Sequence, residues 1–165
     1  GTGRNFPFHP DGSKVTGINL SPAMLDRARR RREKFGIEVD LREMNVMKMD
    51  FADDSFDAII STFLFCALNA EHQQSALEEL GRVCRPGGII RILEYAISKN
   101  PLRRFIMKLW APWVRFAYGA EFDRKTEQYL EAAGLDLVET KFLYKDIIKL
   151  LSVQPKSTEK LAEIA

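Results

Sequence analysis

Between Lys14 and Ala96, short apolar runs alternate with longer segments of helical periodicity, and this alternation constrains the fold more than any other feature of the chain. Strands separated by helices return parallel to one another through right-handed crossovers, giving an α/β fold with a doubly wound sheet. Lys14-Val15-Thr16-Gly17-Ile18-Asn19 reads as a strand. Ser21 stands as N-cap and Pro22 as first residue of a helix that places Met24, Leu25, Ala28 and Phe35 at near-helical spacing, and Gly36 ends it. Arg27 and Arg29 to Arg32 fall mostly on the other face and read as a solvated surface. Ile37 to Glu43 alternates apolar and charged residues, as a half-buried or edge strand does. Phe56 to Thr62 is almost wholly apolar and suits a strand buried on both faces in the middle of the sheet. A helix is expected over Ala70 to Cys84, with Ala76, Leu77, Leu80 and Val83 on one stripe, stopped by Arg85-Pro86-Gly87-Gly88 before a strand over Ile89 to Ala96. Arg124 to Ala133 reads as a helix closed by Gly134, and Leu135 to Leu143 with Tyr144 to Val153 as an antiparallel pair.

Composition narrows the function classes. At 165 residues and 45% apolar content the chain suits one domain over residues 1–155, followed by a polar tail at 156–165. Lys and Arg exceed Asp and Glu by only two, which argues against a nucleic-acid partner. Cys66 and Cys84 lie in apolar stretches without metal-ligand spacing and read as buried free thiols in a reducing cytoplasm. No apolar run approaches the roughly 20 residues of a spanning helix, so a cytoplasmic protein, soluble or peripheral at the inner face of the membrane, is expected. Asp50, Asp53, Asp54 and Asp57 lack a cation-loop pattern, and His9 and His72 have no partner at ligand or triad spacing. Neither metal nor hydrolase chemistry is expected.

Gly1-Thr2-Gly3 would let backbone approach a ligand where a Cβ would clash, and Asn19 ends the next strand where a polar side chain would face ribose hydroxyls. These residues, with Val15 to Leu25, Phe51-Ala52-Asp53-Asp54-Ser55-Phe56-Asp57 and Leu80 to Gly88, resemble the successive landmarks of class I S-adenosylmethionine-dependent methyltransferases. The resemblance covers Gly1 to about Pro155 and is loosest after Ala96. It implies a Rossmann-like sheet of order 3-2-1-4-5-7-6 with strand 7 antiparallel, and S-adenosyl-L-methionine as methyl donor. Gly1, Thr2 and Gly3 look like the end of the loop beneath the cofactor's methionine part. Asn19, followed by Leu20, stands where relatives carry an acid on the ribose; Asn45 stands where many have an Asp reaching the adenine amino group, with Val46 beside the ring. Ser61, Thr62 and Phe63 are expected to line the methyl-transfer cleft. Strand 1 is expected to be missing ahead of Gly1, leaving facing edges unsatisfied, so the chain alone is expected to be unstable and to bind cofactor abnormally.

Between Ile97 and Tyr118 there are five basic residues and no acid, while Leu102, Phe105, Ile106, Leu109, Trp110 and Trp113 recur at helical spacing, with Pro112 as a kink. A basic face opposite Trp, Phe and Leu suits an interfacial helix on an anionic membrane, and the same stripe suits a lid within the 97–123 insert. Leu93-Glu94-Tyr95, this insert and Gly119 to Arg124 look most like bacterial phospholipid N-methyltransferases. The leading expectation is therefore methylation of a phosphatidylethanolamine-type amine, with Tyr95 or Glu94 orienting the ammonium or accepting its proton. Methylation of a quinone precursor or other small molecule is the alternative, and a non-catalytic cofactor-binding module the third reading.

Overall fold

The valines that open β1 (Val15–Asn19) and β2 (Val39–Glu43) lie opposite each other, and the two strands run parallel from there to Asn19 opposite Glu43. The computed structural model describes residues 1–118, 122 and 124–156, in two compact units, Gly1–Asp50 and Phe51–Ala165. In the first unit α1 (Pro22–Phe35) connects the two strands. Ser21 adopts the extended N-cap backbone with Pro22 next, as expected, but its hydroxyl makes no capping bond. Gly36 takes the left-handed conformation, φ 62°, and its N–H reaches the carbonyls of Arg32 and Glu33, which ends the helix. Phe6, Ala28 and Val39 form a buried cluster, with Val15, Ile37 and Leu41 packed around them.

The arginine run is not uniformly solvated. Arg31 reaches back to donate to both the carbonyl and the hydroxyl of Thr2, and Arg32 donates to the Val39 carbonyl. Only part of the run is surface; the long side chains that point along the helix are used to fasten loop and strand.

The second unit is a four-stranded sheet built from β3 (Phe56–Thr62), β4 (Cys84–Tyr95), β5 (Leu135–Tyr144) and β6 (Ile148–Pro155), in the order β3-β4-β6-β5. β3 and β4 are parallel, whereas β6 is antiparallel to β4 and β5. The crossover between β3 and β4 is α2 (Ala70–Val83), whose Ala76, Leu77, Leu80 and Val83 are buried as the stripe predicts. They join Ile90, Ile92, Leu151 and Val153 of the sheet in being almost fully excluded from water. The α/β class read from the alternation holds in both units.

Three expectations need correction. β3 is not buried on both faces: Ile60 is 54% exposed, and among the described residues only β4 pairs with β3. Its apolar sequence is that of a strand needing two neighbours, of which the described part of its unit supplies one. β4 begins at Cys84 rather than Ile89, because the Arg-Pro-Gly-Gly stretch is drawn into the sheet with a break in register between Phe56 and Ala58. Over Arg124 to Ala133 the structure has only a short 3-10 helix, Thr126–Tyr129, followed by turns. Tertiary anchors override helix propensity there: Thr126 is buried on Gln73, and Glu127 pairs with Lys149. β5 and β6 form the expected antiparallel pair, interrupted by register breaks between Leu137 and Glu139 and between Phe142 and Tyr144. The expected tail lies, apart from Lys156, outside the described residues, as do residues 119–121 and 123 of the insert. Among the described residues no helix is long and apolar enough to cross a membrane.

Candidate functional site

In open α/β sheets ligands gather at the carboxyl ends of the strands, so the residues leaving β1, β2, β3 and β4 are the ones to inspect. In the first unit Asn19 closes β1 and accepts the Ser21 N–H on its Oδ1 at 2.7 Å, with its Nδ2 4.0 Å from the Met24 sulfur. One N–H of the amide is thereby directed at the Met24 sulfur in the helix that follows, and the other is left for a further acceptor. Asn45, two residues beyond β2, accepts the Met47 N–H at 3.0 Å in the same kind of Asx turn, and Val46 beside it is half-buried. Leu20 is exposed. Each carbonyl oxygen retains a lone pair, so both amides can still accept as well as donate one bond to a ligand.

The glycine loop is less open than its sequence suggests. A Cβ on Gly3 would lie 2.4 Å from the Phe6 ring, and the residue has φ 74°. The space released by Gly3 therefore belongs to Phe6; only Gly1, where a Cβ would meet nothing within 4 Å, faces open room. Thr2 is held by Arg31 through both its oxygens. A concavity of about 850 Å³ in this unit is lined by Pro7, Lys14, Val15 and Glu38 among others. It lies at the amino ends of β1 and β2 and so away from Asn19 and Asn45.

In the second unit the loop after β3 is fastened from two sides. Glu94, on β4 and 1% exposed, accepts the Phe65 N–H on one carboxylate oxygen and the Cys66 N–H on the other, each at 2.9 Å. Gln73, on α2 and equally buried, donates from its amide to the Phe65 carbonyl at 2.6 Å and the Leu68 carbonyl at 3.1 Å. Burial pushes the Glu94 carboxyl above its usual range, against the pull of those N–H groups and of Lys149, which lies opposite it on β6. The Cys66 thiol is pushed far up by burial and by the neighbouring Glu94, which leaves it an inert core group. Glu94 is thus a positioning residue: with both oxygens engaged and no surface, it is not presented to a substrate.

What the clamp positions is an aromatic trio. Phe63 has φ 53°, a left-handed conformation rare for a bulky residue, and its N–H is tied to the Leu93 carbonyl at 2.8 Å. Its ring lies 4.6 Å from that of Tyr95 with a 32° tilt, and Phe122 meets Tyr95 edge-on at 5.3 Å. Two rings from the carboxyl ends of β3 and β4 therefore stand together, with a third from the segment before the short 3-10 helix. Ser61, two residues before Phe63, is buried, and its Oγ has no hydrogen-bond partner among the described residues. Thr62 is exposed. Asp53 pairs with Arg82 and Asp57 with Arg85, so these acids serve as ion-pair partners.

Sequence reasoning missed Gln73, Arg31 and Phe122. Gln73 had a signal: it occupies the same i, i+3, i+4, i+7 stripe as Ala76, Leu77 and Leu80, and a polar residue in a core stripe requires a buried partner.

The deciding comparison is with a family model described as a methyltransferase domain, which matches residues 1–88, more than half of the chain. The chain belongs to this methyltransferase domain family. Phosphatidylethanolamine N-methyltransferase of Cereibacter sphaeroides is 36% identical over 105 residues, covering 62% of this chain and 51% of that protein. Demethylmenaquinone methyltransferase of Thermus thermophilus is 39% identical over 84 residues, 51% of this chain and 37% of that one. The chain thus spans about half or less of the length of these relatives. Among solved structures, an S-adenosylmethionine-dependent methyltransferase of Methanosarcina mazei superposes with a TM-score of 0.69 at 17% identity, covering 88% of this chain and 83% of that one. This likeness establishes the Rossmann-like fold of the methyltransferase domain, and the family match extends across the glycine loop, β1, β2, β3 and α2.

Proposed function

We propose that this methyltransferase domain transfers the methyl group of S-adenosyl-L-methionine to the amine of a phosphatidylethanolamine-type phospholipid. The observation that carries the acceptor is the pairing of Phe63 and Tyr95 at the strand ends, taken with the similarity to the Cereibacter sphaeroides phosphatidylethanolamine N-methyltransferase. Aromatic faces attract a cation by roughly 0.5–2 kcal/mol, and an amine gains permanent positive character as it is methylated.

The residues of the first unit fit the cofactor as neutral partners. Asn19 would donate to a ribose hydroxyl through the N–H not directed at Met24, and Asn45 would accept from the adenine amino group. When bound, S-adenosyl-L-methionine supplies an electrophilic methyl carbon on a sulfonium. The acceptor would have to meet that carbon as the neutral amine, its ammonium proton having first passed to solvent. The protein's share is to position and desolvate, with no strong base required. Tyr95 and Phe63 would hold the ammonium, while Glu94 and Gln73 hold the loop that carries Phe63.

Methyl-labelled S-adenosyl-L-methionine presented with phosphatidylethanolamine vesicles, free ethanolamine and a quinone precursor in parallel tests this reading. Label in the lipid is expected. Tyr95→Phe should keep most of the rate, whereas Tyr95→Ala should lower kcat/KM by about tenfold, the loss of one cation–π contact. Label only in the quinone precursor would sink the proposal and favour the second reading, for which the similarity to the Thermus thermophilus enzyme speaks. Cofactor binding without label in any acceptor would favour a non-catalytic module.

A further inference from the structure

α3 (Pro101–Tyr118) is built inside out. An amphipathic helix of a globular protein turns its large apolar residues to the core. Here Leu102, Phe105, Leu109, Trp113 and Phe116 form one stripe, and they are 69, 66, 69, 53 and 91% exposed. The less exposed residues are Arg103, Met107, Ala111 and Val114, on the other side of the helix. A stripe this exposed is costly to leave in water, since each such side chain is worth about 1.5–3 kcal/mol on full burial.

The root of α3 is firmly fixed. Asp146, in the turn between β5 and β6, accepts the Ser98 hydroxyl and the Lys99 N–H at 2.7 Å each and forms an ion pair with Arg103. The Ser98 hydroxyl, with Lys99 and Arg103, holds this carboxyl down to about 2. Asn100 caps the first turn by accepting from Leu102 and Arg103, and Arg104 bonds the carbonyls of Ser98 and Lys99. The outward stripe is therefore the consequence of a defined attachment.

Charge identifies the occupant. Residues 97–118 contain Lys99, Arg103, Arg104, Lys108 and Arg115 and no acid, against a whole-chain excess of only two, so the remainder of the chain is net acidic. Positive charge gathered beside exposed Trp, Phe and Leu matches a surface that is anionic at its face and apolar beneath. We propose that α3 docks the chain on an anionic lipid bilayer, lying in the interface with the Leu102–Phe116 stripe among the acyl chains and Lys108 at the headgroups. Docking of this kind rests on α3 alone and stands whichever acceptor is methylated.

Trp110 and Trp113 are the two tryptophans of the chain, so its intrinsic emission reports α3 directly. Vesicles of phosphatidylcholine and phosphatidylglycerol in equal parts should shift the emission to shorter wavelength and carry the chain on flotation. Pure phosphatidylcholine vesicles should bind at least tenfold more weakly. Lys108→Glu should weaken partitioning by about tenfold, and Leu109→Gln with Phe116→Ser by more than that, with far-ultraviolet circular dichroism unchanged. No emission shift with anionic vesicles, or binding indifferent to both sets of substitutions, would overturn the proposal. So would a concentration-dependent shift without lipid accompanied by dimers on sedimentation, which would make the stripe an interface between copies of the chain.

Discussion

Glu94→Ala should destabilise the Phe51–Ala165 unit by about 3–6 kcal/mol, which is a large part of the roughly 5–15 kcal/mol that folded domains possess. Two backbone N–H groups, those of Phe65 and Cys66, would be left in a dry site, each at about 1–3 kcal/mol, with a cavity added where the side chain was. Glu94→Gln keeps the volume and one acceptor but turns an N–H donor toward the second N–H, so about half the loss is expected. The pH dependence separates charge from shape. Because burial raises the Glu94 carboxyl in the folded state, the unfolded chain releases this proton first as pH rises. The contribution of ionisation to stability is therefore full below the ordinary carboxylate range and lost as pH rises through the folded pKa. Urea midpoints over a series of pH values should fall less steeply for Glu94→Gln than for the parent across that window. Equal slopes, or an alanine variant within about 1 kcal/mol of the parent, would remove Glu94 from its role as clamp.

The second large effect is expected at Gly88. A Cβ there would lie 2.7 Å from the Cys84 sulfur and 2.9 Å from two backbone carbonyl oxygens, those of Arg85 and Asp57. Backbone cannot step aside as a side chain does, so Gly88→Ala should cost about 3 kcal/mol and disturb the register in which β3 enters β4. Its neighbour provides the control. Gly87 has φ 75° but open space where a Cβ would go, so Gly87→Ala should cost only the strain of a left-handed residue, about 1 kcal/mol. Thermal melts of the two variants should differ clearly. If they coincide, the Arg-Pro-Gly-Gly stretch is governed by backbone strain, and close packing against β3 is irrelevant.

Much of the architecture was legible because it is written in periods. The stripe of α2, the Pro22 and Gly36 boundaries of α1 and the antiparallel end of the sheet follow from local patterns that tertiary structure then used unchanged. What escaped detection depends on distant partners. Nothing near Thr126 announces that its hydroxyl is to meet Gln73, and so the expected helix around it shrinks to one turn. The site divides in the same way. Asn19 and Phe63 were singled out because strand ends are visible in sequence, and Asn45 because the family resemblance points to it, but Glu94 holds backbone groups 28 and 29 residues away, which no local pattern announces. Gly3 was read as room for a ligand because a glycine shows only that a side chain is absent; that the Phe6 ring fills the place requires three dimensions. The direction of α3 was likewise undecidable, since an amphipathic pattern says which face is apolar and not which way it points.

The two interruptions in the pairing of β5 bear on how the molecule behaves at high concentration. β5 ends the order of its sheet and shows water Leu137, Val138, Phe142, Leu143 and Tyr144, a composition that invites a second molecule to add a strand. A bulge bends and twists the strand that carries it, and two bulges in ten residues deny an incoming strand any long flat stretch to match. Glu139 and Lys141, between them, add charges that a docking strand would have to cover. The irregularity thus acts as protection against edge-to-edge aggregation, and smoothing it by deleting Val138 would be expected to turn an apolar but unwelcoming edge into an adhesive one.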